Sequence, residues 1–167
     1  MNQASHDSEV PAQGQQVITA CAFIHHNFNG EEKVFLAKRA ETKKFLPGVY
    51  ELPGGHINFG EELVDGLKRE IFEEFGVRIF IGDPFYVFTY TNAVNGSHSI
   101  EVIYFAVLED AVEKIELNPE DHSDSIWIAE NEIEKVVSEN KKSDDHEVQA
   151  LRKGFGYLNS RGFIKLN

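Results

Sequence analysis

The stretch GGHINFGEELVDGLKREIFEEFGV, residues Gly54 to Val77, decides the reading of this chain. It opens on a turn, Leu52-Pro53-Gly54-Gly55, and runs from about Glu61 into a helix. The apolar residues Leu63, Val64, Leu67, Ile71 and Phe75 recur at spacings of three and four, the period of one buried helical stripe. Gly76 stands where the stripe ends, and a residue without Cβ turns left-handed cheaply and closes a helix. At the helical repeat, Glu70, Glu73 and Glu74 fall within an arc of roughly 100° beside the stripe, because positions i, i+3 and i+4 share a face. Like charges this close repel, so they need open solvent or a cation between them. The first possibility is an ordinary solvated glutamate face. The second is a divalent cation, and an all-oxygen ligand set suits Mg²⁺ or Mn²⁺ rather than zinc.

The rest of the composition narrows the field. With 167 residues the chain has the length of one domain with its own core. A formal net charge of −12 argues against nucleic-acid or acidic-membrane partners, which call for a basic footprint. Phosphates remain accessible to such a protein when a metal reverses the local sign. Cys21 is the single cysteine, which excludes a disulfide framework and a thiol-based zinc site. The sequence has neither an apolar run of about 18 residues nor a signal-peptide pattern, so a cytoplasmic home is expected. The polar residues Met1 to Gln15 read as a disordered leader, with residues 16–167 as a single domain.

From Gln16 to Phe28 an apolar, β-branched run predicts a central strand buried on both faces. His25 and His26 at its end point to opposite faces, which favours solvation near the turn over metal binding. Asn29-Gly30 marks a hairpin turn, and the chain returns through Lys33 to Arg39. Lys38, Arg39, Lys43 and Lys44 form a basic cluster, most of it expected at the surface. Strand material follows at 77–81 and 85–91, interrupted by Gly82-Asp83-Pro84, then a polar turn at 92–99 and a buried strand at 100–108. The aromatics of this region are expected mainly in the core, with one or two at strand ends available to stack on a base. Residues 109–124 form a long acidic connection, and Ser125-Ile126-Trp127-Ile128 the next strand. Ala129 to Asn140 reads as a helix with Ile133, Val136 and Val137 inward, Lys141 to Asp145 as a charged linker, and Glu147 to Leu158 as a helix weakened by Gly154 and Gly156. The tail from Arg161 is read as an edge strand or a subunit contact.

Gly55, Glu61 and the run Arg69-Glu70-Ile71-Phe72-Glu73-Glu74-Phe75-Gly76-Val77 resemble the Nudix box at every fixed position. The resemblance implies an α/β/α sandwich, with a mixed β-sheet between the box helix and the C-terminal helices. It also implies hydrolysis of a nucleoside diphosphate linked to a further group, with one to three divalent ions. On that resemblance the carbonyl of Gly55 and the carboxylates of Glu70, Glu73 and Glu74 hold Mg²⁺ or Mn²⁺, and Glu73 and Glu74 are catalytic. Glu61 and Arg69 support them, Arg69 orienting carboxylates through paired hydrogen bonds. Arg39 is the expected phosphate contact. The resemblance also implies that the loop before the last strand overhangs the metal site and carries the residue that activates water, which makes Glu120, Asp121 and His122 candidates for a general base, since a carboxylate or imidazole near an attacking water can take its proton. The loop 117–124 is similar to that of GDP-mannose mannosyl hydrolases, in which a histidine serves as base; the complete box of this chain instead favours attack at phosphorus. Three functions follow: a nucleoside triphosphate pyrophosphatase, a nucleotide-sugar or dinucleotide hydrolase, and a ligand-sensing module without turnover. Homodimers are common in the family.

Overall fold

A computed structural model describes residues 12–160. Its centre is strand β1 (Gln16–Phe28), whose side chains alternate between two buried faces. Cys21 and Phe23 point into one core, Ala20, Ala22 and Ile24 into the other. A strand covered on both faces loses the polar alternation of a surface strand, which is why its sequence reads as a continuous apolar run.

The remaining strands are β2 (Glu31–Arg39), β3 (Tyr50–Glu51), β4 (Gly54–His56), β5 (Ile79–Asn92), β6 (Ser97–Leu108) and β7 (His122–Ile128). On one side β1 runs parallel to β6, which pairs antiparallel with β5. On the other side β1 changes partners: Thr19 to Cys21 pair with β4, whereas His25 to Phe28 pair with β2. β2 in turn carries β3 and β7. The sheet is therefore mixed, and it splits where the chain crosses from β3 to β4.

Helix α1 (Leu63–Phe75) covers one face through Leu67, Ile71 and Phe75, and Gly76, at φ 67°, closes it with an N–H to the Phe72 carbonyl. Helix α2 (His146–Ser160) covers the other face, and Phe23 meets Phe85, Phe105 and Phe155 edge to face beneath it. This is the α/β/α sandwich expected from the sequence. Gly154, read as a weakness of that helix, has a packing reason: a Cβ there would lie 2.5 Å from the Phe23 ring. No helix among the described residues is long and apolar enough to cross a membrane.

Several local expectations need correction. Residues 129–140 do not form an α-helix; Glu130–Val136 is a 3₁₀ helix, and Ile133 and Val136, three apart, match its period of three. Val137, expected inward with them, is only half-buried. Lys141 is no linker residue: it is 3% exposed, paired with Glu147 and donating to the Tyr50 carbonyl at 2.6 Å. β5 is one strand, kinked rather than interrupted, with shifts of register around Pro84. The polar turn is shorter than 92–99, since Asn92 ends β5 and Ser97 opens β6, both buried. The acidic connection holds a 3₁₀ turn at Val112–Lys114 and ends early, at His122, where β7 begins. Val64 lies outside the buried stripe of α1. Residues 12–15, assigned to the leader, are tied by Ala12 and Gly14 N–H groups to the carbonyls of Asn95 and Gly96. The rest of that leader and the tail from Arg161 lie outside the described residues.

Candidate active site

At the split in the sheet the backbone of the Pro53-Gly54 turn packs directly on β1. Ala22 donates to the Pro53 carbonyl at 2.8 Å, and a Cβ on Gly54 would lie 2.1 Å from the Ala20 carbonyl oxygen. Gly55 needs its missing side chain for another reason: a Cβ there would lie 2.6 Å from Glu70 Oε2. The turn Pro53-Gly54-Gly55 is thus wedged between β1 and the carboxylate of α1. Beside it opens a cleft of about 80 Å³, lined by Gly55, His56, Glu74, Asp121 and His122 together with Arg39 and Lys43.

Arg69 organises the acidic face of α1. Its Nε and Nη2 meet both oxygens of Glu61 at 2.8 and 2.9 Å, Nη1 reaches Glu70 at 2.8 Å and Glu73 at 3.2 Å, and Nη2 also reaches the His56 carbonyl at 3.1 Å. Glu61 first, then Glu70, raises the Arg69 pKa, so the guanidinium is permanently charged. Glu61 itself caps the preceding loop by accepting the Asn58 N–H at 3.0 Å, and α1 begins just beyond it, at Leu63. Glu70 is 1% exposed, whereas Glu73 stands at the surface.

Glu74, one turn beyond Glu70, turns instead into the cleft. Its Oε2 lies 3.0 Å from His122 Nε2, and burial pushes its pKa up to about 7 against the opposing pull of that imidazole. His122 is 4% exposed, stacks on Phe75 at 4.9 Å, and its buried Nδ1 has no hydrogen-bond partner among the described residues. A shift of register between Lys38 and Arg39 sets Arg39 opposite His122, the kind of irregularity that re-aims a side chain. Arg39 donates to Glu51 and to the Phe45 carbonyl, each at 2.9 Å; burial works against its charge, but Glu51 more than compensates and raises its pKa. Lys43 bridges to Asp121 at 2.8 Å.

Of the residues singled out in the sequence, Gly55, Arg39, Glu74 and His122 therefore meet around one cleft. Arg69 gathers Glu61, Glu70 and Glu73 beside it. Glu120 is set apart: it is exposed and does not line the cleft, because the turn held by Asn118 directs Asp121 and His122 inward. Sequence reasoning missed the part of the cleft lining formed by Thr19, Phe45, Glu51, Tyr90 and Glu101. One signal was available: Glu101 is the single charge inside the apolar strand IEVIYFAVL.

The donor set suits a hard divalent cation in kind, since it consists of carboxylates and a glycine carbonyl, with a cradle at Gly55 that a side chain would fill. As the side chains stand, Arg69 and His122 hold the carboxylates, and among the described residues no three acidic, histidine or cysteine side chains are grouped to hold a metal.

A family model described as NUDIX domain matches residues 18–151. The m7GpppN-mRNA hydrolase NUDT17 of Xenopus laevis is 36% identical over 67 residues, 40% of this chain and 22% of that protein. The chain spans less than a quarter of the length of the first curated relatives it matches. Two solved structures share the fold: the MutT protein from Methanosarcina mazei Go1, with a TM-score of 0.67, 23% identity, and coverage of 92% of this chain and 99% of that one; and a C. elegans Ap4A hydrolase binary complex, with 0.69, 20%, and 88% and 99%. At such identities the likeness bears on fold alone.

Proposed function

The chain belongs to the Nudix family, and from that premise we propose that it hydrolyses a phosphoanhydride bond in a nucleoside di- or triphosphate derivative, most readily a nucleoside triphosphate, with Mg²⁺ or Mn²⁺. The observation that carries the reading is the pair Glu74–His122 in the lining of a cleft that Arg39 and Lys43 also line. The names of its relatives support it: both m7GpppN-mRNA hydrolase and Ap4A hydrolase describe enzymes acting on nucleosides joined through phosphates.

Gly55, Glu70, Glu73 and Glu74 are the residues that would hold the cation. What it supplies when bound is neutralisation of phosphate charge and a more acidic water. The chain's own groups do the rest. Arg39 and Lys43 bring positive charge to the cleft wall, where phosphate oxygens are held in line by position and electrostatics. Glu74 Oε2 and His122 Nε2 lie 3.0 Å apart, a carboxylate and an imidazole within reach of passing a proton. Arg69 fixes the carboxylates of Glu61 and Glu70 so that they do not reorient during turnover.

A panel of nucleoside triphosphates, nucleotide-sugars and dinucleoside polyphosphates with Mg²⁺ or Mn²⁺, followed by ³¹P NMR, tests the proposal. Nucleoside monophosphate and pyrophosphate are the expected products. No phosphate product from any member would overturn it. His122 in the cleft wall favours a second reading, a nucleotide-sugar hydrolase, and release of free sugar as the dominant product would select that one.

A further inference from the structure

Strand β3 is two residues long, pairs with β2 on one edge, and has no strand on its other edge among the described residues. In an antiparallel ladder alternate residues bond the neighbouring strand. The Arg39 N–H bonds the Val49 carbonyl, so the Tyr50 carbonyl and the Leu52 N–H turn away from β2. Two charged residues stand where a further strand would. Lys141 donates to the Tyr50 carbonyl at 2.6 Å; Glu147 accepts the Leu52 N–H through one carboxylate oxygen and pairs with Lys141 through the other. One ion pair thus grips the main chain immediately before and immediately after Glu51. Each member is held by its own element: Lys141 is bridged to Ser138, and Glu147 lies in the first turn of α2, where Asp145 Oδ1 accepts its N–H at 2.9 Å. Their side chains are 4% and 13% exposed. Docking α2 does not call for charge, since an apolar pair packs as well or better without the cost of desolvation. What the charges add is a hold on two backbone groups.

We propose that Lys141 and Glu147 are positioning residues for Arg39: by fixing the backbone on either side of Glu51, they hold the guanidinium where it receives a phosphate. The assignment rests on the reading of Arg39 as the phosphate contact. The chain of contacts is short. Glu51 Oε1 accepts from Arg39 Nη1 at 2.9 Å, and Arg39 Nε donates to the Phe45 carbonyl at 2.9 Å, so a shift of Glu51 along β3 pulls on a guanidinium tethered at both ends. The turn that follows has its own anchor, since the Pro53 carbonyl accepts the Ala22 N–H from β1. Loosening the ion pair is therefore felt first at Glu51. Arg39 and Glu51 line the cleft, whereas Lys141 and Glu147 do not, so the pair acts on the site from behind it.

The test compares the full wild-type chain with Lys141→Met/Glu147→Leu, an apolar pair of similar size. The first readout is hydrogen exchange at Arg39 Nε by ¹⁵N NMR, the signal assigned by its loss in Arg39→Lys, with Arg69 Nε on α1 as internal control. Exchange at Arg39 is expected to quicken about tenfold or more while Arg69 stays within about twofold, because the opening is local. The second readout is steady-state kinetics. KM for the nucleoside triphosphate turned over fastest is expected to rise about fivefold with kcat within about threefold, and the apolar pair to add nothing in an Arg39→Ala background. Equal quickening at both arginines, no quickening at Arg39, or the same rise in KM with and without Arg39 overturns the assignment and leaves the ion pair as a dock for α2. Selective quickening in a chain that hydrolyses no triphosphate, or whose KM is indifferent to Arg39→Ala, fells the phosphate reading while the positioning of Arg39 stands. Should the double variant fail to fold by circular dichroism, Glu147→Gln, which keeps an acceptor for the Leu52 N–H but loses the charge, goes through both readouts, with quickening of about threefold confined to Arg39 as the expected result.

Discussion

Glu70 and Glu74 stand one turn apart on the same helix, yet the structure holds them by opposite means. Glu70 is buried against a permanent cation, Arg69, at 2.8 Å. Glu74 is half-buried against an imidazole, whose pull does not offset the loss of solvent, and its pKa is pushed up to about 7. The difference is tertiary: Arg69 is a neighbour on the helix, whereas His122 arrives from a strand 48 residues later. Two carboxylates of one motif thus meet opposite surroundings, a guanidinium and an imidazole. Glu101, on the far face of the sheet, extends the contrast as a carboxyl whose hydrogen bonds come from a hydroxyl and a thiol and not from a cation.

The contrast is broken most severely at Glu74. Glu74→Gln keeps the shape but removes the proton site, and kcat is expected to fall about 10³-fold in steady-state assays, within the range for loss of a general acid or base. Arg69→Ala acts on stability instead: it leaves Glu70, with 2% of its side chain exposed, without its cation. A loss of about 3 kcal/mol in urea unfolding is expected, largely restored in the double variant with Glu70→Gln. Gly55→Ala drives a methyl against Glu70 Oε2 and displaces that carboxylate, so kcat/KM should drop about tenfold or more while the fold persists.

The smallest effect sharpens the comparison at Glu101. Its folded pKa of about 8 lies above the ordinary 4.5, so between those values the folded chain keeps a proton that the unfolded chain has released. Wild-type stability therefore declines as pH rises through that window and levels off above it. Glu101→Leu lacks this dependence, and its stability relative to the wild type should climb between about pH 5 and 8 in denaturant titrations.

These residues also mark how far the sequence could be read. The acidic helix, its glycine stop and the two-faced central strand were legible because each is a local pattern: a spacing, a cap, an apolar run. The meeting of His122 with Glu74 was legible only as a loop of candidates, since proximity across 48 residues is a property of the sheet. Lys141 shows the limit. Its sequence neighbours are polar and charged, and its burial against Glu147 and Tyr50 follows from how α2 docks on β3. The 3₁₀ helix at 130–136 was misread because its two buried residues, three apart, satisfy an α-helical pattern as well as a 3₁₀ one. Glu101 was visible as a charge in an apolar strand, but its surroundings, drawn from β1, β5 and the loop holding Phe45, were not.

Hydrolysis of phosphoanhydrides at the acidic end of α1, with a divalent ion, stands or falls on pyrophosphate release from a nucleoside triphosphate followed in Mg²⁺, after chelation with EDTA, and after Mg²⁺ is restored, with Glu74→Gln alongside. Release should stop on chelation, resume on restoration and be nearly absent in the variant. Undiminished release in EDTA, or a variant as fast as the wild type, would rule that chemistry out.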